Sequence, residues 1–148
     1  MHTESSTATR KIAENLARKI IAQGPQKNGA TVLALVGDLG AGKTTFVQGL
    51  ARALGIKEKI LSPTFLIFRK HKLVSRQSPF AAFYHVDLYR IKNIKELRVL
   101  GFKKIFTNPK NIVAIEWAEK ARRRLPRTSQ WIRLEHTADP KRRSISFD

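Results

Sequence analysis

Thr31-Val32-Leu33-Ala34-Leu35-Val36-Gly37-Asp38-Leu39-Gly40-Ala41-Gly42-Lys43-Thr44-Thr45 is the stretch on which the reading of this chain turns. Its first six residues are apolar and partly β-branched, short enough for a buried strand. The last nine fit G-x-x-x-x-G-K-[ST], the pattern of a phosphate-binding loop set between strand and helix. Beyond it Phe46, Val47, Leu50, Ala51 and Leu54 recur at helical spacing, and Gly55 stops the helix. The order has a physical reason. Glycines let successive backbone N–H groups turn inward around an anion, and the helix N-terminus adds its dipole. The pattern therefore assigns Gly37, Asp38, Leu39, Gly40, Ala41, Gly42, Lys43, Thr44 and Thr45 to a nucleotide-phosphate site. Lys43 would reach the β- and γ-phosphates, and the Thr44 hydroxyl would take a Mg²⁺ position.

The rest of the chain sets bounds on that site. A sequence of 148 residues suits a single domain, 1–148, in which helices cover one sheet. With no cysteine, neither a disulfide framework nor a cysteine metal site is available. The polar start, Met1 to Ser6, has no apolar run after it, so no signal peptide is expected. The longest apolar run is far below a membrane span, and a soluble cytoplasmic protein is expected. Lys and Arg number 29 against 11 Asp and Glu, a net charge of +18, which favours phosphate-rich partners and RNA among them. The basic residues are dispersed, with Arg122-Arg123-Arg124 the densest run, and a solvated basic surface explains them somewhat better than direct RNA contact does.

Working outward, Ile12, Leu16, Ala17, Ile20 and Ile21 mark an amphipathic helix that Ser6, Thr7 or Thr9 could cap. Gly24-Pro25 and Asn28-Gly29 turn the chain into the first strand. After the phosphate-loop helix, Ser62-Pro63-Thr64 opens an extended segment from Phe65 to Phe68, and the polar residues 69–79 read as a loop or hairpin end. Phe80 to Val86 is a second buried strand ending in Asp87. Asn93 caps a short helix through Leu100 that Gly101 closes. Asn111 to Ile115 is a further buried strand ending in Glu116. A basic helix begins near Ala118 and stops before Pro126, and Trp131–Glu135 with Ser144–Phe147 form a closing strand pair. This alternation predicts an α/β fold, a three-layer α/β/α arrangement like that of P-loop nucleotide hydrolases. Its central sheet would be largely parallel, with antiparallel additions.

Ligands of such sheets sit beyond the carboxyl ends of the strands, where Asp87 and Glu116 both fall. Either acid suits a Mg²⁺ ligand, and the other would orient water or act as base; spacing alone does not choose between them. Thr64 lies where a switch threonine would approach a γ-phosphate, though it also suits a turn cap. His85 reads as a core histidine facing away from the acids, with a network partner as the alternative. His2, His71 and His136 have no acid or histidine at metal spacing and read as surface residues. Trp117 suits the core and a wall of the site equally.

Together GDLGAGKTT, SPTF (Ser62 to Phe65), HVDLYR (His85 to Arg90) and IEW (Ile115 to Trp117) resemble the TsaE (YjeE) family over about residues 6 to 147. The family comprises small bacterial ATPases required for threonylcarbamoyl modification of the adenosine next to the anticodon of certain tRNAs. The resemblance implies ATP and Mg²⁺ as cofactors, with Lys43 on phosphate, Thr44 and Glu116 on Mg²⁺, and Asp87 needed for hydrolysis. Thr64 would belong to a switch-like segment, and Ser6 and Pro140 would border the adenine. It also implies TsaD-like and TsaB-like subunits as partners, with this chain as the switch that resets their complex. Two departures stand out: the segment between Thr64 and His85 is longer and more basic than the family pattern, and Arg98, Lys103 and Lys104 replace acids.

Other function classes fit less well. A small-molecule kinase shares this size and opening, but no Asp-x-Asp or glycine cluster provides an acceptor site. A GTPase lacks its Asn-Lys-x-Asp segment. An RNA-binding protein with a vestigial loop fits the charge, yet Lys43, Thr44, Asp87 and Glu116 are all intact.

Overall fold

Eleven regular elements and one 3₁₀ helix build the molecule in the computed structural model, which describes residues 1–62, 67–74, 76 and 78–148. The strands are β1 (His2–Thr3), β2 (Thr31–Val36), β3 (Phe68–Lys72), β4 (Ala82–Asp87), β5 (Asn111–Glu116), β6 (Gln130–His136) and β7 (Arg143–Phe147). The helices are α1 (Ser6–Gln23), α2 (Lys43–Ala53), α3 (Glu96–Val99) and α4 (Phe102–Thr107), with the 3₁₀ helix at Ala118–Arg124. All seven strands join one sheet in the order β1-β7-β6-β2-β5-β4-β3. Its centre, β6-β2-β5-β4, is parallel, and β3, β7 and β1 are added antiparallel. The parallel centre with antiparallel additions is as expected, and the sheet as a whole is mixed.

Each buried strand feeds two cores because alternate side chains take opposite faces. From β5, Ile112 and Ala114 join the core under α1 and α2, while Val113 and Ile115 join the one under α3, α4 and the 3₁₀ helix. The two central strands β2 and β5 are buried at every position, as parallel strands covered on both faces must be. Three layers result, helices on each side of the sheet. Helices α1 and α2 pack tightly at Gly49, where a Cβ would stand 2.4 Å from the Arg10 carbonyl oxygen and 2.7 Å from the Ala13 Cβ. Any side chain there would force the pair apart.

Several boundaries differ from expectation. Ser5, not Ser6, Thr7 or Thr9, caps α1, its hydroxyl accepting from the Ala8 N–H at 3.1 Å. Thr9 is buried instead, its hydroxyl 3.0 Å from that of Thr3. Of the two readings of residues 69–79, the hairpin holds: strand β3 extends from Phe68 through Lys72 and pairs antiparallel with β4 from Phe68↔Val86 to Lys72↔Ala82. The basic segment after Trp117 is 3₁₀, and the helix opening at Asn93 is a turn leading into α3, followed by the separate α4. The expected extended segment over residues 65–68 lies outside the described residues up to Leu66.

Candidate functional site

The loop Gly37–Gly42 leaves the carboxyl end of β2 and delivers the chain into α2. Gly37 has φ 146°, and a Cβ there would stand 2.1 Å from the Leu134 carbonyl oxygen of β6, so only glycine lets the loop start this close to the neighbouring strand. The Ala41 N–H donates to the Asp38 carbonyl at 3.1 Å, and the Phe46 N–H to the Gly42 carbonyl at 2.9 Å, closing the loop onto the helix. Ala41 is fully buried in the core, whereas Asp38, Leu39 and Gly40 form the exposed crest.

Lys43 is the first residue of α2, and its ammonium turns back over the loop. It donates to the carbonyls of Gly37 and Asp38 (2.9 Å to the latter) and lies 3.9 Å from the centre of the Trp117 indole. The side chain is only 5 % exposed, and burial holds its pKa below the usual lysine range. Glu116, Glu119, Asp87 and Asp38 pull in the opposite direction without reversing the shift. The hydrogen-bond acceptors of this buried ammonium are neutral carbonyls, which bind a cation less strongly than an ionised acceptor would.

The two acids end neighbouring strands in register, Asp87 opposite Glu116, with Leu35 of β2 opposite Glu116 on its other side. They are nevertheless held differently. Glu116 is 3 % exposed and takes the Thr44 hydroxyl, 2.9 Å from Oε1 and 3.1 Å from Oε2, and His85 Nε2 at 2.8 Å from Oε1. Asp87 is half-buried, Oδ2 accepting the Ser62 hydroxyl at 2.7 Å and Oδ1 the Tyr89 N–H at 2.9 Å. Lys43, Thr44, Asp87 and Glu116 thus line one cleft of about 310 Å³ together with Thr45, Ser62 and Trp117.

Trp117 follows Glu116 with φ 57°, the one non-glycine positive φ among the described residues. This left-handed turn leads the chain from β5 into the 3₁₀ helix and lays the indole beside Lys43 and 5.1 Å from the Tyr89 ring. Backbone conformations of this kind concentrate at functional sites. Trp117 therefore walls the cleft and also packs on the second core. Thr64 lies outside the described residues; Ser62, just before it, is tied to Asp87.

Ser6 and Pro140 are exposed and are not among the residues lining the cleft. The stretches that carry them are joined by an ion pair, Arg142 to Glu4 at 2.9 Å. Two histidines, His85 and His71, differ from expectation. His85 reaches Glu116 because alternate strand residues share a face; its position two before Asp87 was signal enough, and the expectation of the opposite face fails on that geometry. His71 is 6 % exposed, its Nδ1 3.2 Å from Glu58. His136 is exposed as expected but sits at the loop crest, its Nε2 3.0 Å from the Leu39 carbonyl. Nothing in the sequence pairs residue 136 with residue 39; the parallel register of β6 on β2 does.

A family model described as "Threonylcarbamoyl adenosine biosynthesis protein TsaE" matches residues 3–145. The chain is similar to three proteins named tRNA threonylcarbamoyladenosine biosynthesis protein TsaE. That of Bacillus subtilis is 36% identical over 116 residues, 78% of this chain and 68% of that protein. That of Haemophilus influenzae is 32% identical over 112 residues, covering 76% and 67%. That of Synechocystis sp. is 43% identical over 93 residues, covering 61% and 55%. The matched part therefore spans between about half and two thirds of these relatives. Among solved structures, a crystal structure of YdiB from Bacillus subtilis superposes with a TM-score of 0.75 at 28% identity, covering 99% of this chain and 82% of that one.

Proposed function

The chain belongs to the TsaE family, and from that premise we propose that it binds ATP with Mg²⁺ and hydrolyses it in support of the threonylcarbamoyl modification of tRNA. The observation that carries the reading is the convergence of Lys43, Thr44, Asp87 and Glu116 in one cleft at the carboxyl ends of parallel strands. The loop N–H groups from Gly37 to Thr45 would cradle the phosphates, and Lys43 would exchange its carbonyl partners for phosphate oxygens. Adenine would lie toward Ser6 and Pro140. The Thr44 hydroxyl and Glu116 carboxylate are adjoining hard oxygen donors, which fits Mg²⁺, a cation that completes its shell with phosphate oxygens and water. Bound there, Mg²⁺ would neutralise charge on the transferring phosphoryl group. Asp87, held by Ser62 and Tyr89, would orient the attacking water, and Thr64 would act on the γ-phosphate.

Hydrolysis by the isolated chain is slow on this reading. No arginine is among the residues described as lining the cleft, and an arginine supplied by a partner is worth roughly 10³- to 10⁵-fold in rate. Such slow turnover suits a switch that resets a transferase complex of TsaD-like and TsaB-like subunits acting on the adenosine beside the anticodon.

Calorimetric titration of ATP into the wild type and Lys43→Ala tests the site. The variant forgoes a charge-assisted hydrogen bond of about 1.5–3 kcal/mol, or roughly 10- to 100-fold in affinity; equal affinities overturn the assignment. Phosphate release from ATP without an acceptor separates hydrolase from small-molecule kinase. Modification of tRNA reconstituted from partner subunits, with and without this chain, tests the pathway role.

A further inference from the structure

Glu116 carries a feature that the proposed binding of Mg²⁺ does not by itself explain. At 3 % exposure its carboxylate is largely cut off from water, and a charge so placed needs donors to offset its lost hydration. One is the Thr44 hydroxyl, from the first turn of α2. The other is His85, itself 1 % exposed, whose imidazole lies 2.8 Å from Oε1. The parallel register explains how His85 gets there. His85 stands opposite Ala114 and Asp87 opposite Glu116, and His85, Asp87, Ala114 and Glu116 all share the sheet face toward α2. The carboxylate is thus gripped from two elements, by a hydroxyl of the helix and by a ring of the adjacent strand.

The two donors differ in kind. Thr44 is itself a member of the proposed cation site. His85 belongs to the sheet interior, is not among the residues lining the cleft, and is set by strand pairing whatever the cleft holds. We propose that His85 is a positioning residue. Its Nε2–H holds Glu116 Oε1 and so fixes the carboxylate in one orientation beside Thr44 before nucleotide and Mg²⁺ arrive. The inference rests on the reading of Glu116 as a Mg²⁺ ligand and deepens it: part of the preorganisation of the metal site lies in the neighbouring strand. Hydrogen-bond partners of metal ligands typically contribute about 10- to 100-fold in metal affinity.

The test compares ADP affinity in Mg²⁺ and in EDTA by calorimetry for the wild type, His85→Phe and His85→Gln. Phe keeps a ring without a donor, whereas the Gln amide nitrogen falls near the place of Nε2. Thermal midpoints report whether each variant is folded. His85→Phe should lower the Mg²⁺-dependent gain in affinity about 10- to 100-fold and leave affinity in EDTA unchanged, and His85→Gln should restore most of the gain. Retention of the full gain by His85→Phe, or equal loss in His85→Gln, overturns the proposal and assigns His85 to packing. Should His85→Phe not fold, His85→Asn, whose amide stops short of Oε1, takes its place with the same two outcomes. A wild type whose affinity ignores Mg²⁺ overturns the reading of Glu116 and this inference with it. A wild type that needs Mg²⁺ beside an unaffected His85→Phe overturns this inference alone.

Discussion

Asp87 and Glu116 end neighbouring strands in register, yet their surroundings separate what each can do. Glu116 is buried and bonded to Thr44, so its oxygens are committed to the base of the cleft. Asp87 is half-buried, tied to Ser62 and to the backbone of Tyr89, and lines the same cleft with more of its surface open. Glu116→Ala should therefore weaken ATP binding in Mg²⁺ by roughly tenfold or more and leave binding in EDTA nearly unchanged. Asp87→Ala should keep binding and lose turnover by about 10²-fold or more, the scale of a missing base or water-orienting group. Binding calorimetry and a phosphate-release assay on both variants check this pair, and reversed phenotypes would exchange the roles. The sequence located both acids, because a carboxylate closing an apolar strand is visible in one dimension. It did not rank them: the ranking depends on Thr44 and His85, 72 and 31 residues from Glu116, and on the depth at which the strands end.

Strand β3 shows what an edge element hides from one-dimensional reading. Its residues Phe68-Arg69-Lys70-His71-Lys72 alternate poorly because an edge strand has one neighbour and an exposed face, and only His71 is buried. That histidine has a consequence for stability. Its Nδ1–H donates toward Glu58, and its Nε2 is buried without a partner among the described residues, with Phe83 alongside. A proton on Nε2 would be an unsatisfied buried donor, and burial lowers the His71 pKa despite the opposing pull of Glu58. The unfolded chain, titrating near about 6.5, then binds more protons than the folded one as the solution is acidified. The associated stability is complete above that value and drains away as pH falls through it toward the folded value. His71→Phe keeps the ring and removes the titration, so urea unfolding between about pH 7.5 and 5 should show a flatter loss of stability than in the wild type. Parallel losses in both proteins would exclude neutral burial of His71. The short helix α4 escaped notice for a related reason, since its six residues bury only Phe102 and Ile105, too few turns to establish a period.

Charge belongs to the whole molecule, and at +18 it sets how the protein meets polyanions. The exposed triplet Arg122-Arg123-Arg124 lies on the 3₁₀ helix that follows Trp117 and the cleft. Arg122 is partly engaged, its guanidinium 4.2 Å above the Trp131 ring, so Arg123 and Arg124 are the cleaner pair to reverse. If this surface holds tRNA, Arg123→Glu with Arg124→Glu should weaken binding and lower the salt slope by about 0.9 for each phosphate no longer neutralised, with ATP affinity unchanged. Filter binding across a salt series measures both, and a salt-insensitive affinity leaves the charge as solvated surface. The architecture itself was legible from strands β2, β4 and β5, whose apolar runs have no other home than the middle of a parallel sheet. The pairing order has a further consequence during synthesis. Strand β2 sits between β5 and β6, so Thr31 waits for Ile112 and Leu33 for Gln130. Gly37 rests on the Leu134 carbonyl. A chain emerging from the ribosome at about 5–20 residues per second therefore exposes its glycine loop early but can close it only after residue 134 has cleared the exit tunnel. Until then the nascent loop lacks the wall that β6 gives it.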